Sequence, residues 1–299
     1  MKHSIVICTR NRCLDLLNCL TSISNLSKKP DEITIVDSSD VSIFEQNSLK
    51  HLIDSPSFAA ISLNLITSKP GLTFQRNIGI AKSSGDILHF IDDDTVLDAE
   101  YLSAMADIFE KNPNYAGGMG SVTNIAPYKF SVNRLFRHVF CLPRDYSSGK
   151  TTLSGLPTFR YGRKEFGDIE STGGCCMSFR RDILMRFLFE EKFPRYGALE
   201  DIELSYRISR SYKLFFNPNA RLQHFQSPAE RHSIGNHTKM YVEHYTYHFF
   251  KNIYPHAPYK IIFYTWTMMG ILLNCMLWER SSSSVMGYFM GFMNVIKSK

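Results

Sequence analysis

Three consecutive carboxylates, Asp92, Asp93 and Asp94, follow the apolar run Ile87-Leu88-His89-Phe90-Ile91. A run of this kind reads as a buried strand, which places the triplet at a strand end and not on a solvated charge run. Carboxylates this close repel one another unless a cation joins them. Together with diphosphate oxygens they suit a hard divalent ion, Mg²⁺ or Mn²⁺, which can neutralise a departing diphosphate. The competing reading is a polar turn in which Asp98 caps the next helix, but Asp98 explains that cap without the triplet. Two further polar clusters, Thr9-Arg10-Asn11 and Asp37-Ser38-Ser39, also follow short apolar runs. Open α/β sheets bind their ligands at the carboxyl ends of strands, so the three clusters are expected to line one crevice.

Stepping along the chain, strands are expected at Ser4 to Cys8, Glu32 to Asp37, Ile61 to Thr67 and Asp86 to Ile91. Between the first two, Leu14, Leu17, Leu20 and Ile23 mark one face of a helix. Apolar β-branched runs alternating with helical spacing predict a doubly wound α/β fold with a mainly parallel sheet. The stretch from Gly117 to His224 is broken by Pro127, Pro143, Pro157 and several glycines and reads as an acceptor-side half. Leu199 to Ser211 resumes helical spacing, and Leu214 to Phe216 with Ala220 to Leu222 are expected as a closing pair of short strands. The resulting division is residues 1–116, 117–228 and a helical C-terminal extension, 229–299. In that extension Ile261 to Trp278 carries no charged residue, and Val285 to Ile296 is a second apolar stretch. A helical hairpin lying in a membrane interface is the expectation; two buried helices closing the core are the alternative.

A chain of 299 residues, 44% hydrophobic and 21% charged, can bury a sizeable core. Its formal charge of +6 falls well short of a nucleic-acid-binding tail, although it would help attract phosphate or an anionic membrane. The seven cysteines form no C-x-x-C pair and imply a reducing, cytoplasmic setting. Met1-Lys2-His3 leads directly into a short apolar run without the features of a signal peptide, so no export is expected.

In order and spacing, Ile5-Val6-Ile7-Cys8-Thr9-Arg10-Asn11-Arg12, Ile35-Val36-Asp37-Ser38-Ser39, Gly71-Leu72-Thr73-Phe74-Gln75-Arg76-Asn77-Ile78-Gly79 and the Asp triplet resemble the family 2 glycosyltransferases of GT-A fold. Cys8 stands where many relatives have proline. The resemblance runs through about Ser227 and implies an inverting, metal-dependent transferase using a nucleotide-diphosphate sugar, with a uridine nucleotide favoured. It places Thr9, Arg10 and Asn11 in the nucleotide pocket, makes Asp37 an acceptor from base or ribose, and turns Arg76 toward phosphate or donor sugar. A carboxylate can accept a base N–H or ribose hydroxyls, and a guanidinium fork matches phosphate oxygens. The plainer readings are an Asx turn for Asp37 and a helix ion pair for Arg76.

Within the triplet the resemblance favours Asp92 and Asp94 as the D-x-D pair. Asp94 would contact metal, Asp92 the metal or ribose, and Asp93 the donor. Gly173 and Gly174, in Thr172-Gly173-Gly174-Cys175, resemble the acceptor loop, where absent side chains permit close approach. Glu200-Asp201 resembles the family's acidic pair, with Glu200 on the acceptor side and Asp201 as the general base; an acidic first helical turn is the plain alternative. His224 would lend an imidazole to metal or diphosphate, or else is a packed histidine. His232, His237, His244 and His248 form no ligand set.

The implied acceptor is a carbohydrate or lipid-linked saccharide in surface polysaccharide or glycolipid assembly, at the cytoplasmic face of the membrane. Two other functions are compatible with parts of the pattern. A sugar-phosphate nucleotidyltransferase would normally open with a glycine-rich phosphate loop, which Cys8-Thr9-Arg10-Asn11 is not; a noncatalytic nucleotide-sugar-binding scaffold would have no use for Asp201.

Overall fold

The computed structural model describes residues 1–192, 197–228 and 233–297. The chain runs β1 (His3–Thr9), α1 (Cys13–Ser24), β2 (Glu32–Asp37), α2 (Asn47–Ile53), β3 (Ser62–Thr67), α3 (Leu72–Lys82), β4 (Ile87–Ile91), β5 (Thr95–Leu97), α4 (Tyr101–Lys111) and β6 (Tyr115–Val122). It continues with α5 (Val132–Val139), β7 (Gly167–Ile169), β8 (Cys176–Arg180), α6 (Arg181–Leu184), α7 (Glu200–Ser209), β9 (Lys213–His224), α8 (Ile234–His248), α9 (Ile261–Asn274) and α10 (Ser282–Lys297). β2 and β4 are buried along their length and β1 at every position but Cys8, so they read as near-continuous apolar runs, and α3 packs on β1 and β2.

The strands form one sheet in the order β3-β2-β1-β4-β8-β6-β9-β5, with β7 pairing β9 as well. Over β3-β2-β1-β4 every pairing is parallel, so the carboxyl ends of β1, β2 and β4 open on the same side. Beyond β4 the sheet is mixed: β8 runs antiparallel to both β4 and β6, while β6 and β9 are parallel. Among the described residues one hydrophobic core runs from Ile5 to Leu222 and joins side chains of both expected halves.

Two expectations need correction. The buried stripe of α1 is Leu16, Cys19, Leu20 and Ile23, and Leu14 is 78% exposed. Positions 16, 19, 20 and 23 are the spacing of one helix face, and Leu14 lies on the opposite side once Cys19 is counted as apolar. The closing strands are also one strand, β9, and not a pair. Asn217-Pro218-Asn219 does not end it, because its register against β6 shifts between Met119 and Ser121 and the irregularity accommodates the proline. The Asn217 amide fixes this stretch by donating to the Ala104 carbonyl at 2.9 Å.

The extension is helical, and within it α10 packs along α8. It is fused to the catalytic half through a second core of Leu142, Leu156, Tyr206, Val242, Tyr245, Phe249, Ile253, Tyr264, Met268, Ile271 and Tyr288. α10 reaches α8 through its small residues: a Cβ on Gly287 would stand 2.1 Å from the Gly235 carbonyl oxygen, and one on Gly291 2.5 Å from that of Lys239.

Phe249 is fully buried and stacks on Tyr264 at 4.6 Å between ring centroids. Phe249→Ala is therefore expected to lower the unfolding free energy by about 3–5 kcal/mol. Urea denaturation checks this, and a loss below about 1 kcal/mol would show that the extension is not part of the core.

Candidate active site

The triplet stands where the sheet dictates. β4 delivers Asp92, Asp93 and Asp94 beside Thr9 at the end of β1, and antiparallel pairing of Ile91 with Cys176 brings Gly173 and Gly174 alongside. β5 follows at once and pairs with the end of β9, Thr95 opposite His224, so a residue 130 positions downstream of Asp94 returns to it. The Phe225 amide donates to the Asp94 carbonyl at 2.9 Å and the Ser227 amide to its Oδ2 at 2.8 Å, holding the strand exit in place.

His224 Nε2 lies 3.1 Å from Asp94 Oδ1 and 4.0 Å from Asp92 Oδ2. One ligand atom from each of Asp92, Asp94 and His224 lies within 4.8 Å of the others. Asp94 Oδ1 is buried and has no well-aligned hydrogen bond, its close neighbour being that imidazole. Two carboxylates, one with a buried oxygen left over, and an imidazole make a donor set that fits a divalent ion such as Mn²⁺ or Mg²⁺. The charge of this cluster is balanced by groups of the chain itself. Burial opposes protonation of His224, but its close contacts with Asp94 and Cys175 outweigh burial and hold the ring up at about 11. Burial would raise Asp94, yet His224, the Ser227 amide and Arg12 hold it below the usual carboxylate range. Asp92 is raised, chiefly by burial.

Asp93 turns away from this cluster. It accepts from Thr9 Oγ1 at 2.7 Å and pairs with Arg12 Nη1 at 3.2 Å, and burial pushes it up to about 7. Arg12 also approaches Asp94 Oδ2 at 3.9 Å, a neutralising role that the sequence reading missed although the residue stands inside its first motif. Arg10 Nη2 and Asn11 Nδ2 reach Asp40, at 3.2 and 3.0 Å, on the loop after β2. The Asp37 carboxylate is fully buried and accepts from the Ser39 amide at 2.9 Å and the Ile43 amide at 3.0 Å, the Asx-type turn weighed above. These contacts brace the end of β2 and the turn that follows it.

Arg76 is the bridge of the site. Nη1 donates to Glu200 Oε1 at 2.7 Å, and Nη2 lies 3.4 Å from Asp92 Oδ1 and 3.3 Å from the Gly174 carbonyl. Its burial disfavours the charge, but Glu200 and Asp92 outweigh that, so it stays a cation. Glu200 is thus the anchor of Arg76. Asp201, the next residue on α7, accepts from the Gly174 amide at 2.6 Å and from the Ile202 amide at 2.8 Å. Burial, and after it Glu200, pushes Asp201 up to about 7. A Cβ on Gly173 would fall 1.8 Å from Tyr161 Oη, so a side chain there would displace the tyrosine, and one on Gly174 would sit tightly, 3.1 Å from Arg76 Nη2 and 3.2 Å from Asp201 Oδ2.

Arg76, Asp92, Gly173, Gly174, Glu200, Asp201 and His224 line one cavity of ≈ 350 Å³. Tyr161, Asp145 and Gln226, which the sequence reading did not single out, complete its walls. The remaining histidines lie elsewhere: His244 Nδ1 is 2.8 Å from the Ala198 carbonyl, His248 is buried beside Asn252, and His237 stacks on Tyr241. His232 lies outside the described residues.

Residues 4–188 match the family described as glycosyl transferase family 2. An uncharacterized glycosyltransferase of Bacillus subtilis, YwdF, is 34% identical over 158 residues, 53% of this chain and 56% of its own. The chain thus spans about half the length of that relative. Among solved structures, GalNAc-T7 with UDP, GalNAc and Mn²⁺ superposes with a TM-score of 0.62 at 17% identity, covering 92% of this chain and 57% of the other. A mannosyltransferase of Pyrobaculum calidifontis with GDP-Man and Mn²⁺ superposes with a TM-score of 0.60 at 12% identity, covering 100% and 88%. The matched segment includes all three strand ends and the glycine loop, and the chain belongs to glycosyl transferase family 2, with a GT-A fold.

Proposed function

We propose that the protein is an inverting, metal-dependent glycosyltransferase that moves a sugar from a nucleotide-diphosphate donor to an acceptor hydroxyl. The observation that carries this reading is the single cavity in which Asp92 and His224 face Arg76, Glu200 and Asp201. A divalent ion held by Asp92, Asp94 and His224 would neutralise the departing nucleoside diphosphate. GalNAc-T7 and the mannosyltransferase were both crystallised with Mn²⁺, one with UDP and the other with GDP-Man. A uridine nucleotide remains the favoured donor.

Asp201 is the general base: two backbone amides fix its carboxylate, and its raised pKa suits proton transfer near neutral pH. Arg76 ties the helix bearing this base to the metal-side carboxylate Asp92, so base and donor keep one spacing. The nucleotidyltransferase reading gains no comparable feature, since the β1 exit carries Arg10 and Asn11 turned to Asp40.

We place the protein at the cytoplasmic face of a membrane, acting on a carbohydrate or lipid-linked acceptor in surface polysaccharide or glycolipid assembly. The support is the exposed apolar face of the extension. α10 buries Ser284, Gly287, Tyr288 and Gly291 and leaves Met286, Phe289, Met290, Phe292, Met293 and Ile296 exposed. α9 and the turn after it expose Ile262, Trp266, Met269, Met276, Leu277 and Trp278. So many large apolar side chains facing outward on neighbouring helices are unfavourable in water and suit an apolar interface. The helix Pro258–Glu279 is long and apolar enough to cross a bilayer, and a third of its most apolar window is buried against the protein; with that face committed to the core, it is read as lying in the interface.

Asp94→Ala is expected to lower turnover of nucleotide sugars by about 10²-fold or more with the fold intact, measured as Mn²⁺-dependent diphosphate release across a donor panel. Undiminished turnover would remove the metal assignment. Asp201→Asn should cut transfer by about 10²–10⁴-fold while calorimetry finds donor affinity preserved, because the side-chain oxygen of Asn can still accept from one of the two backbone amides but the group cannot take a proton. Since the base must be deprotonated, wild-type transfer should rise with pH through about 7. A flat profile, or near-normal transfer by the Asn variant, would exclude Asp201. Exchanging Phe289 and Phe292 for serine should weaken co-sedimentation with phospholipid vesicles by about tenfold, and unchanged binding would refute interfacial docking.

A further inference from the structure

A second and larger cavity, of ≈ 1100 Å³, lies outside the donor site. It shares a wall with that site. Residues 144–147 and 159–161 are joined by backbone bonds, Phe159 N to Arg144 O, Tyr146 N to Tyr161 O and Ser147 N to Phe159 O, each at 2.9 Å. In such a ladder successive side chains point to opposite faces. Asp145, Phe159 and Tyr161 therefore line the catalytic cavity, and Arg144, Tyr146 and Arg160 line the second one.

This second cavity is cationic. Arg134, Arg144, Arg160, Arg163 and Lys164 line it, against the single carboxylate of Glu165. Three of the guanidinium groups are oriented by backbone carbonyls: Arg134 Nη2 donates to Asp145 O at 2.7 Å, Arg160 Nη2 to Glu165 O at 3.0 Å and Arg163 Nε to Tyr146 O at 3.1 Å. Arg134 also lies 4.4 Å from the Tyr128 ring centroid. Among the described residues none of the five cations forms an ion pair with a carboxylate. Arg144 is half-buried, and burial, with Arg134 and Arg137 nearby, lowers its pKa, as expected of crowded like charges that lack a counter-ion. Guanidinium groups held by carbonyls present their remaining N–H donors as a fixed fork, the geometry that matches a phosphate. The rim carries the exposed apolar side chains Tyr128, Phe130 and Leu135. α5 continues it to the extension, since Trp266 Nε1 donates to Val139 O at 2.8 Å and Phe136 packs on Trp278.

We infer that this cavity is an anion subsite that binds the phosphate or diphosphate ester of the acceptor, holding it on the far face of the wall formed by residues 144–147 and 159–161. The inference rests on the transferase reading and narrows the acceptor to a phosphate-bearing one. A volume of ≈ 1100 Å³ is far larger than one phosphate and leaves space for the adjoining sugar or lipid.

The test uses the full chain in EDTA with inorganic pyrophosphate as the probe, titrated by calorimetry. Arg144 and Lys164 side chains make no hydrogen bond or ion pair among the described residues, so the double variant Arg144→Gln/Lys164→Gln should keep the wild-type Tm while binding pyrophosphate about tenfold more weakly or worse. Should the pair fail to fold, the exposed Lys164→Glu alone carries the same expectation. Vesicles of phosphatidylcholine, with and without phosphatidylglycerol, separate the sources. If the variant loses both pyrophosphate affinity and the wild-type preference for anionic vesicles, the phosphate belongs to a lipid headgroup; if it loses only pyrophosphate affinity, the phosphate belongs to the acceptor's soluble part. No pyrophosphate binding by the wild type, or equal affinity in both proteins, overturns the subsite. Neither readout involves a sugar donor, so its failure is distinct from a failure of transfer.

Discussion

The organising constraint is electrostatic: parallel strands deliver Asp92, Asp93 and Asp94 to one edge, and α7 adds Glu200 and Asp201. Carboxylates taken out of water at such spacing cannot all stay charged without compensation. The protein divides them into three arrangements. Arg12 and Thr9 take Asp93, the Arg76 guanidinium joins Asp92 to Glu200, and His224 closes on Asp94. What remains is one carboxylate held only by amides, Asp201, and one buried oxygen, Oδ1 of Asp94, without an aligned donor. These two leftovers are where proton transfer and cation binding are expected.

The same constraint explains why the chain must return so often to the β4 end. β8 and the glycine loop run against it, β9 re-enters beside β5, and the tight passage at Gly173 leaves no space for a side chain beside Tyr161. Each return supplies a partner that local sequence could not.

Much of this was legible beforehand, because strand periodicity and strand-end chemistry are local. β2 runs from Glu32 to Asp37 as read, and Asp92, Asp94, Arg76, His224 and Asp201 meet in one region. Legibility failed where a residue's task is decided by something distant. The Ile43 amide that braces Asp37 is not announced by the motif, and Arg12 looks like motif filler although Asp93 lies beside it. β9 was read as two pieces because Pro218 is a local stop signal, and its tolerance depends on the register shift opposite β6. Leu14 misled the reading of α1 for a simpler reason, since it is apolar but stands off the stripe that Cys19 completes.

Tyr206 of α7 belongs to the core that holds the extension, on the same ten-residue helix that presents Asp201. Its neighbours there include Leu142, Leu156, Phe249 and Tyr264. The C-terminal helices are consequently a keel and not a tether: they pack against the same helix that carries Asp201, so a shift in one is passed to the other. A chimera that exchanges this tail between relatives would have to carry residues 136–156 and the inward face of α7 with it, or the graft would arrive without the surface it rests on.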